Sequence, residues 1–218
     1  MRAAQALLEL LFPRKCILCG KLLHRADTDL CRSCRTKTDD YRRYGRKLPN
    51  ISAFTAVWYY EDQVRESLLR YKFYNRRSYA QGYGRIMAMR FLEDLPPADV
   101  IAWVPVSRRR RWHRGYDQAQ LLAQAVSRET GLPCCRLLEK FRHNRAQSGL
   151  ERAEQRRANV LGVYRPVHPE QIRGRRILLL DDILTTGATA SECARVLRTA
   201  GAEEVMFAAV AAGRNQNE

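Results

Sequence analysis

The sequence is short of acid. Asp and Glu number 23 against 39 Lys and Arg, which gives a formal charge of +16 and a pI of about 10.0. Such a field attracts polyanions, whether nucleic acid, anionic membrane or phosphorylated small molecules, and it also keeps a protein soluble; charge alone does not choose among these. Long apolar runs are missing too. No stretch approaches the roughly 20 residues that a membrane-spanning helix needs. The one short apolar segment near the start, residues 3–12, has a single Arg before it, contains Glu9 and lacks a small-residue cleavage site. It runs straight into Pro13-Arg14-Lys15-Cys16. It therefore reads as a helix packing on the cysteine-bearing segment after it rather than an export signal, and a cytoplasmic protein is expected. There is no internal repeat and no low-complexity tract. With 45% hydrophobic residues the chain is globular. Its 218 residues suffice for one sizeable core and a small appendage.

Four of the seven cysteines stand in two pairs, Cys16-x-x-Cys19 and Cys31-x-x-Cys34, with eleven residues between the pairs. Two such knuckles bring four thiolates into a tetrahedron, the arrangement of a structural Zn²⁺ site. A reducing cytosol disfavours two disulfides instead. An iron–sulfur cluster is the remaining alternative, less usual at this spacing. Four cysteine ligands leave no open coordination position, so the site is expected to hold the fold and not to catalyse. Arg14, Lys15, Lys21, Arg25, Arg32, Arg35 and Lys37 make this unit basic, and Arg42, Arg43, Arg46 and Lys47 follow it. This is either a solvated face or a surface for nucleic-acid phosphates; the run of charge fits both. Cys134, Cys135 and Cys193 read as packing residues.

Residues 177–189 say most about function: Ile-Leu-Leu-Leu-Asp-Asp-Ile-Leu-Thr-Thr-Gly-Ala-Thr. The apolar run reads as a fully buried parallel strand. A small-residue loop then leads to a helix over 190–199, with Gly201 at its end. A strand, small-residue loop and helix in this order aim backbone N–H groups and the positive helix end at one point, which suits a phosphate. Asp181 and Asp182, at the carboxyl end of the strand, are placed to accept hydrogen bonds from sugar hydroxyls.

The remaining pattern predicts strands over 51–60, 99–106, 160–164, 176–180 and 205–210, and helices over 63–73, 79–92 and 117–130. Residues 38–50 read as a linker. Strand and helix alternate, so the fold class expected is α/β with a mainly parallel, doubly wound sheet. A small four-cysteine unit precedes it, with the division placed at 1–48 and 49–218. The strand ending in Pro105-Val106-Ser107 is followed by a basic loop, Arg108 to Arg111 and on to Arg114-Gly115, which would set positive charge beside the phosphate loop. Residues 136–159 are again basic and read as a solvated helix.

The motif at 177–189 resembles the signature of type I phosphoribosyltransferases, enzymes that bind phosphoribosyl pyrophosphate (PRPP). By that resemblance Asp181 and Asp182 hold the ribose hydroxyls. Thr185, Thr186, Gly187, Ala188 and Thr189 wrap the 5′-phosphate, and Arg108, Arg114 and Gly115 attend the pyrophosphate. For residues 136–159 the resemblance implies, instead of a solvated helix, a loop that closes over the ligand. With the four-cysteine unit, the Pro-Val strand end and Arg-Gly-Tyr-Asp-Gln at 114–118, the whole chain resembles the ComF/GntX family. That family typically has Arg-Gly-Phe-Asn-Gln there, so Tyr116 and Asp117 depart from it, and its Lys-Tyr is matched loosely by Lys72-Phe73.

The resemblance implies PRPP as ligand with Mg²⁺, structural Zn²⁺, and a link to natural competence and the use of external DNA. Single-stranded DNA, a competence helicase and other DNA-uptake proteins are the partners it implies. Three functions fit: a transferase that displaces pyrophosphate from ribose C1, a zinc protein that binds single-stranded DNA, and a PRPP-sensing regulator. For the DNA binder, Tyr41, Tyr44, Tyr59, Tyr60, Tyr71 and Tyr74 are candidates to stack on bases.

Overall fold

The computed structural model describes residues 13–24, 28–42, 46–142 and 161–214. The expected helix over 3–12 and the basic stretch 143–159 lie outside the described residues. A short helix, α1 (Arg32–Lys37), is followed by β1 (Phe54–Tyr59), α2 (Asp62–Phe73), α3 (Tyr79–Asp94) and β2 (Val100–Trp103). Then come α4 (Arg108–Arg114), α5 (Gln118–Thr130), β3 (Leu138–Lys140), β4 (Tyr164–Pro166), β5 (Arg176–Leu184), α6 (Ala188–Thr199) and β6 (Glu204–Ala212).

Four strands form one parallel sheet in the order β1-β6-β5-β2. Its central strands are apolar on both sides because both faces are covered. Leu178 and Leu180 face a core with Leu68 and Tyr71 of α2, Tyr83 and Met87 of α3, and Leu122 and Val126 of α5. Ile177 and Leu179 face the other core with Cys193 and Leu197 of α6 and Tyr164 of β4. This is the doubly wound arrangement expected from the sequence. The knuckle residues Cys16, Ile17, Leu18 and Cys34 join the first core, so the four-cysteine unit is packed into the sheet's helical layer.

Several expectations need correction. The residues after β2 form a helix, α4, not a basic loop. It has no buried residue, so no apolar stripe betrayed it; Ser107 caps its start by accepting from the Arg110 N–H, and Gly115 ends it with φ of 76°. The strand expected over 160–164 lies at Tyr164–Pro166, antiparallel to β3, which the sequence did not predict. β5 does not stop at Leu180 but runs through both acids to Leu184, because β6 pairs with it as far as Ala212. The helix after it starts at Ala188, two residues early.

Gly84 lies inside α3, where glycine disfavours the helix, yet it has a use. A Cβ there would lie 2.4 Å from the Ala125 Cβ, so α3 and α5 approach too closely for any larger residue.

Asp117 fixes the turn between β2 and α5. Its Oδ1 accepts from the Gln120 N–H and its Oδ2 from the Val106 N–H, each at 3.2 Å. Asp117→Ala is expected to lower stability by about 1–2 kcal/mol, with Asp117→Asn in between because it keeps one acceptor oxygen. Calorimetric melting of the three proteins checks the order.

Candidate functional site

Beyond Trp103, β2 makes one more contact with β5, the Val104 N–H to Leu180 carbonyl bond of 2.9 Å. Pro105 then carries the chain away. The sheet opens at that point, at the carboxyl ends of its strands, where ligands of such sheets bind. A pocket of about 330 Å³ fills the opening, lined by Asp181, Asp182, Thr185 and Thr189 together with Lys72, Arg110, Arg114, Gln118, Lys140 and Tyr164.

The two acids occupy opposite faces of the sheet, since successive strand residues alternate. Asp182 shares the face of Leu178 and Leu180 and meets the Lys72 ammonium of α2 at 2.9 Å. Asp181 shares the face of Ile177 and Leu179, the side of Cys193, Tyr164 and Lys140. The Asp182 N–H donates to Asp181 Oδ1 at 2.8 Å. Burial, and next the Asp182 carboxylate, push the Asp181 carboxyl well above the usual carboxylate range. Lys140 on β3 is held down to about 8, by burial first and then by the Arg110 charge.

The loop into α6 turns at Gly187, with φ of 80°. A Cβ on Gly187 would meet Leu48 Cδ2 at 2.3 Å, so this turn is shaped both by its left-handed backbone and by the linker lying on it. The Ala188 N–H donates to Thr186 Oγ1 at 3.4 Å, and Arg46 donates to the Thr185 carbonyl. Of the residues singled out in the sequence, Lys72, Arg114, Asp181, Asp182, Thr185 and Thr189 meet at this pocket. Gly187 and Ala188 form the turn behind it.

Arg108 lines a neighbouring basic cleft of about 550 Å³ with Arg109, Arg111, Arg136, Arg142 and Arg165, and Pro105, Val106 and Lys140 are common to the two cavities. Gly115 lines neither; it ends α4, and its carbonyl accepts from Arg77 at 3.4 Å. Arg110 was included only as part of the basic run 108–111, and Gln118, Lys140 and Tyr164 were not singled out for the site. Lys140 sits on β3, which the sequence did not predict, Tyr164 lies at the end of an expected strand with no site signal of its own, and Gln118 was visible only as the end of a motif.

The tyrosines divide. Tyr41, Tyr59 and Tyr71 are 2%, 5% and 0% exposed, which removes them as base-stacking candidates. Tyr60 lines the site pocket and Tyr74 is exposed, while Tyr44 lies outside the described residues. Tyr116, the departure from Phe, uses its hydroxyl to donate to the Tyr71 carbonyl, a bond Phe could not make.

The sulfurs of Cys16, Cys19, Cys31 and Cys34 lie within 4.8 Å of one another. Cys19 and Cys31 are 3.7 Å apart, close to the roughly 3.8 Å edge of a tetrahedron with metal–sulfur bonds of about 2.3 Å. The Cys34 N–H lowers the Cys31 thiol to about 7, whereas burial raises those of Cys19 and Cys34, so a cation at the centre would be what holds all four as thiolates. The donor set thus fits a four-coordinate thiolate metal. Asp29, between the knuckles, pairs with Arg85 of α3, Nε to Oδ2 at 2.9 Å. No helix among the described residues is long and apolar enough to cross a membrane.

Two family models match the chain: a double zinc ribbon domain over residues 7–44 and a phosphoribosyl transferase domain over residues 117–218. Competence protein F of Haemophilus influenzae is 27% identical, the match covering 89% of this chain and 95% of that protein. The DNA utilization protein YhgH of Escherichia coli is 30% identical, covering 87% and 86%. Competence protein ComFC of Bacillus subtilis is 29% identical, covering 85% and 72%. With its four-cysteine knuckles docked on a doubly wound sheet and these relatives matched over most of its length, the chain belongs to the ComF/GntX family, in which a double zinc ribbon precedes a type I phosphoribosyltransferase-like domain.

Proposed function

We propose that the protein binds PRPP in the pocket at the end of β5 and serves the use of external DNA, as the names of its relatives indicate for them. The observation that carries this reading is the meeting of Asp181, Asp182, Lys72, Arg114, Thr185 and Thr189 in one pocket. Asp181 and Asp182 accept the ribose hydroxyls from the two faces of the strand. The N–H groups of the turn and the first residues of α6 take the 5′-phosphate. Arg110 and Arg114 neutralise pyrophosphate, which extends past the shared wall at Pro105 and Val106 into the basic cleft.

If the protein catalyses transfer, the C1–oxygen bond to pyrophosphate breaks and a C1–nitrogen bond forms, with loss of a proton from the acceptor nitrogen. Its own residues act by positioning and by stabilising charge, and none is a covalent nucleophile. Asp181 and Asp182, the acids that line the pocket, would hold Mg²⁺ with the ligand, and the ion would supply positive charge to offset the pyrophosphate. The four cysteines hold Zn²⁺ in a purely structural role.

A second reading, single-stranded DNA binding, is favoured by the arginines of the basic cleft together with the exposed Trp112, Phe73 and Tyr74 around α4 and α2. Calorimetric titration with PRPP, with and without Mg²⁺ and single-stranded DNA, separates the two. Saturable PRPP binding that Mg²⁺ strengthens is expected, and no heat at millimolar PRPP would overturn the proposal. Pyrophosphate release with a panel of bases then tells enzyme from sensor. DNA binding that weakens steeply with salt and ignores PRPP would leave only the second reading.

A further inference from the structure

The Arg-Gly-Tyr-Asp-Gln segment has one member without a task in the free protein. Arg114 lines the pocket and stacks on the Phe73 ring at 4.8 Å. Gly115 ends α4, Tyr116 donates to the Tyr71 carbonyl, and Asp117 caps α5. Gln118 opens α5, is 1% exposed and lines the site pocket. Its backbone carbonyl accepts from Tyr71 Oη at 2.8 Å, which fixes the residue beside Lys72. Its side-chain Oε1, however, is buried without a hydrogen-bond partner among the described residues. Folded proteins seldom leave a buried amide oxygen unsatisfied, and where they do the group calls for an explanation. Its surroundings are not otherwise careless. Asp182 is met by Lys72, and both Asp117 oxygens accept backbone N–H groups.

Resting on the phosphoribosyl reading above, we infer that Gln118 is a ligand-binding residue whose carboxamide accepts a hydrogen bond from a ribose hydroxyl. An amide oxygen needs a donor. A sugar phosphate offers donors only through its hydroxyls, because its phosphates are acceptors and go to the cations and the N–H groups of the turn. Asp182 Oδ1 is engaged by Lys72, which leaves Oδ2 for a hydroxyl, and Gln118 supplies a further acceptor on the same wall. The oxygen is sealed in the free protein. The terminal torsion of a carboxamide is soft, so the group turns toward the pocket as the ligand enters. An unmet hydrogen bond in the free state is thereby made only in the complex, which favours the complex over the free protein.

The test uses the full chain, Gln118→Met and Gln118→Leu, titrated calorimetrically with ribose 5-phosphate and with 2-deoxyribose 5-phosphate, alongside the melting temperature of each free protein. Loss of one such bond is expected to weaken ribose 5-phosphate binding about 5- to 30-fold. The preference for ribose over 2-deoxyribose shrinks, and Gln118→Met melts no lower than the parent because an unsatisfied buried oxygen has been removed. A merely structural Gln118 would give the reverse: a lower melting temperature in both variants with unchanged ribose 5-phosphate affinity and preference, and that result overturns the inference. If the parent itself binds no ribose 5-phosphate, the phosphoribosyl reading fails and this inference falls with it. Binding by the parent that both variants retain in full removes the inference alone.

Discussion

Stripping the metal from the four cysteines is expected to lower the melting temperature of the whole protein by about 10 °C or more, not merely to loosen its first 40 residues. Cys16, Ile17, Leu18 and Cys34 are 0%, 5%, 1% and 2% exposed and lie in the core that also contains Tyr71, Tyr83 and Met87. Ser67 donates to the Ile17 carbonyl and Arg70 to the Leu18 carbonyl, both from α2. The knuckle backbone therefore satisfies side chains of the helix that carries Lys72 to Asp182. Without a metal, four clustered thiols have nothing to hold their loops, and these contacts loosen together. Metal analysis should find one Zn²⁺ per chain, and melting after treatment with a strong chelator, and of Cys34→Ser, should show the loss. A melting curve that ignores chelation in a protein shown to have lost its zinc would contradict this coupling.

Neutralising each of the two adjacent acids should change stability in opposite directions while PRPP binding falls in both, on the order of 100-fold for Asp182 and less for Asp181, whose carboxyl is already shifted toward the neutral form. Asp181 has a raised carboxyl pKa, so ionising it at neutral pH costs the folded state. The stabilisation from its protonated form is complete at low pH and is lost as pH rises through the folded value. Asp181→Asn escapes that loss. It should melt above the parent at pH 7.5, with a gap that closes as the solution is acidified. Asp182 is the partner of Lys72, and their side chains are only 11% and 17% exposed. Asp182→Asn strands the Lys72 ammonium in the protein and should cost about 3 kcal/mol. Melting curves over pH for both variants, with PRPP titrations, check this. Equal shifts of the same sign would mean that the acids share one environment. A gain in stability paired with a loss of binding is what a preformed ligand site produces.

The structure explains why some parts were legible in the sequence. β5 and β6 are buried on both faces, and their unbroken apolar runs are a signal that burial itself imposes. The Cys-x-x-Cys pairs and the Thr-Thr-Gly turn were legible because metal and phosphate geometry demand particular residue types at fixed spacing. Helix α4 was not, because a helix with no buried residue has no apolar period to read. The antiparallel pair of β3 and β4 was legible only in its second strand, and there displaced. Leu138-Glu-Lys and Tyr164-Arg-Pro are three residues each, too short for alternation to register clearly, and the pairing joins segments far apart in the chain.

The sequence by itself determined the chemistry that is local: four thiols in two knuckles, two acids at a strand's end, a small-residue turn before a helix, and an excess of positive charge. Tertiary structure decided everything that depends on which faces meet. It turned Asp181 and Asp182 to opposite sides of the sheet, because neighbours in a strand alternate and β6 holds β5 extended past both. It gave Asp182 its Lys72 and left Gln118 Oε1 without a partner among the described residues. It also seated the cysteine knuckles on the helix that reaches the pocket. These relations arise from packing between residues distant in sequence, and no local pattern encodes them.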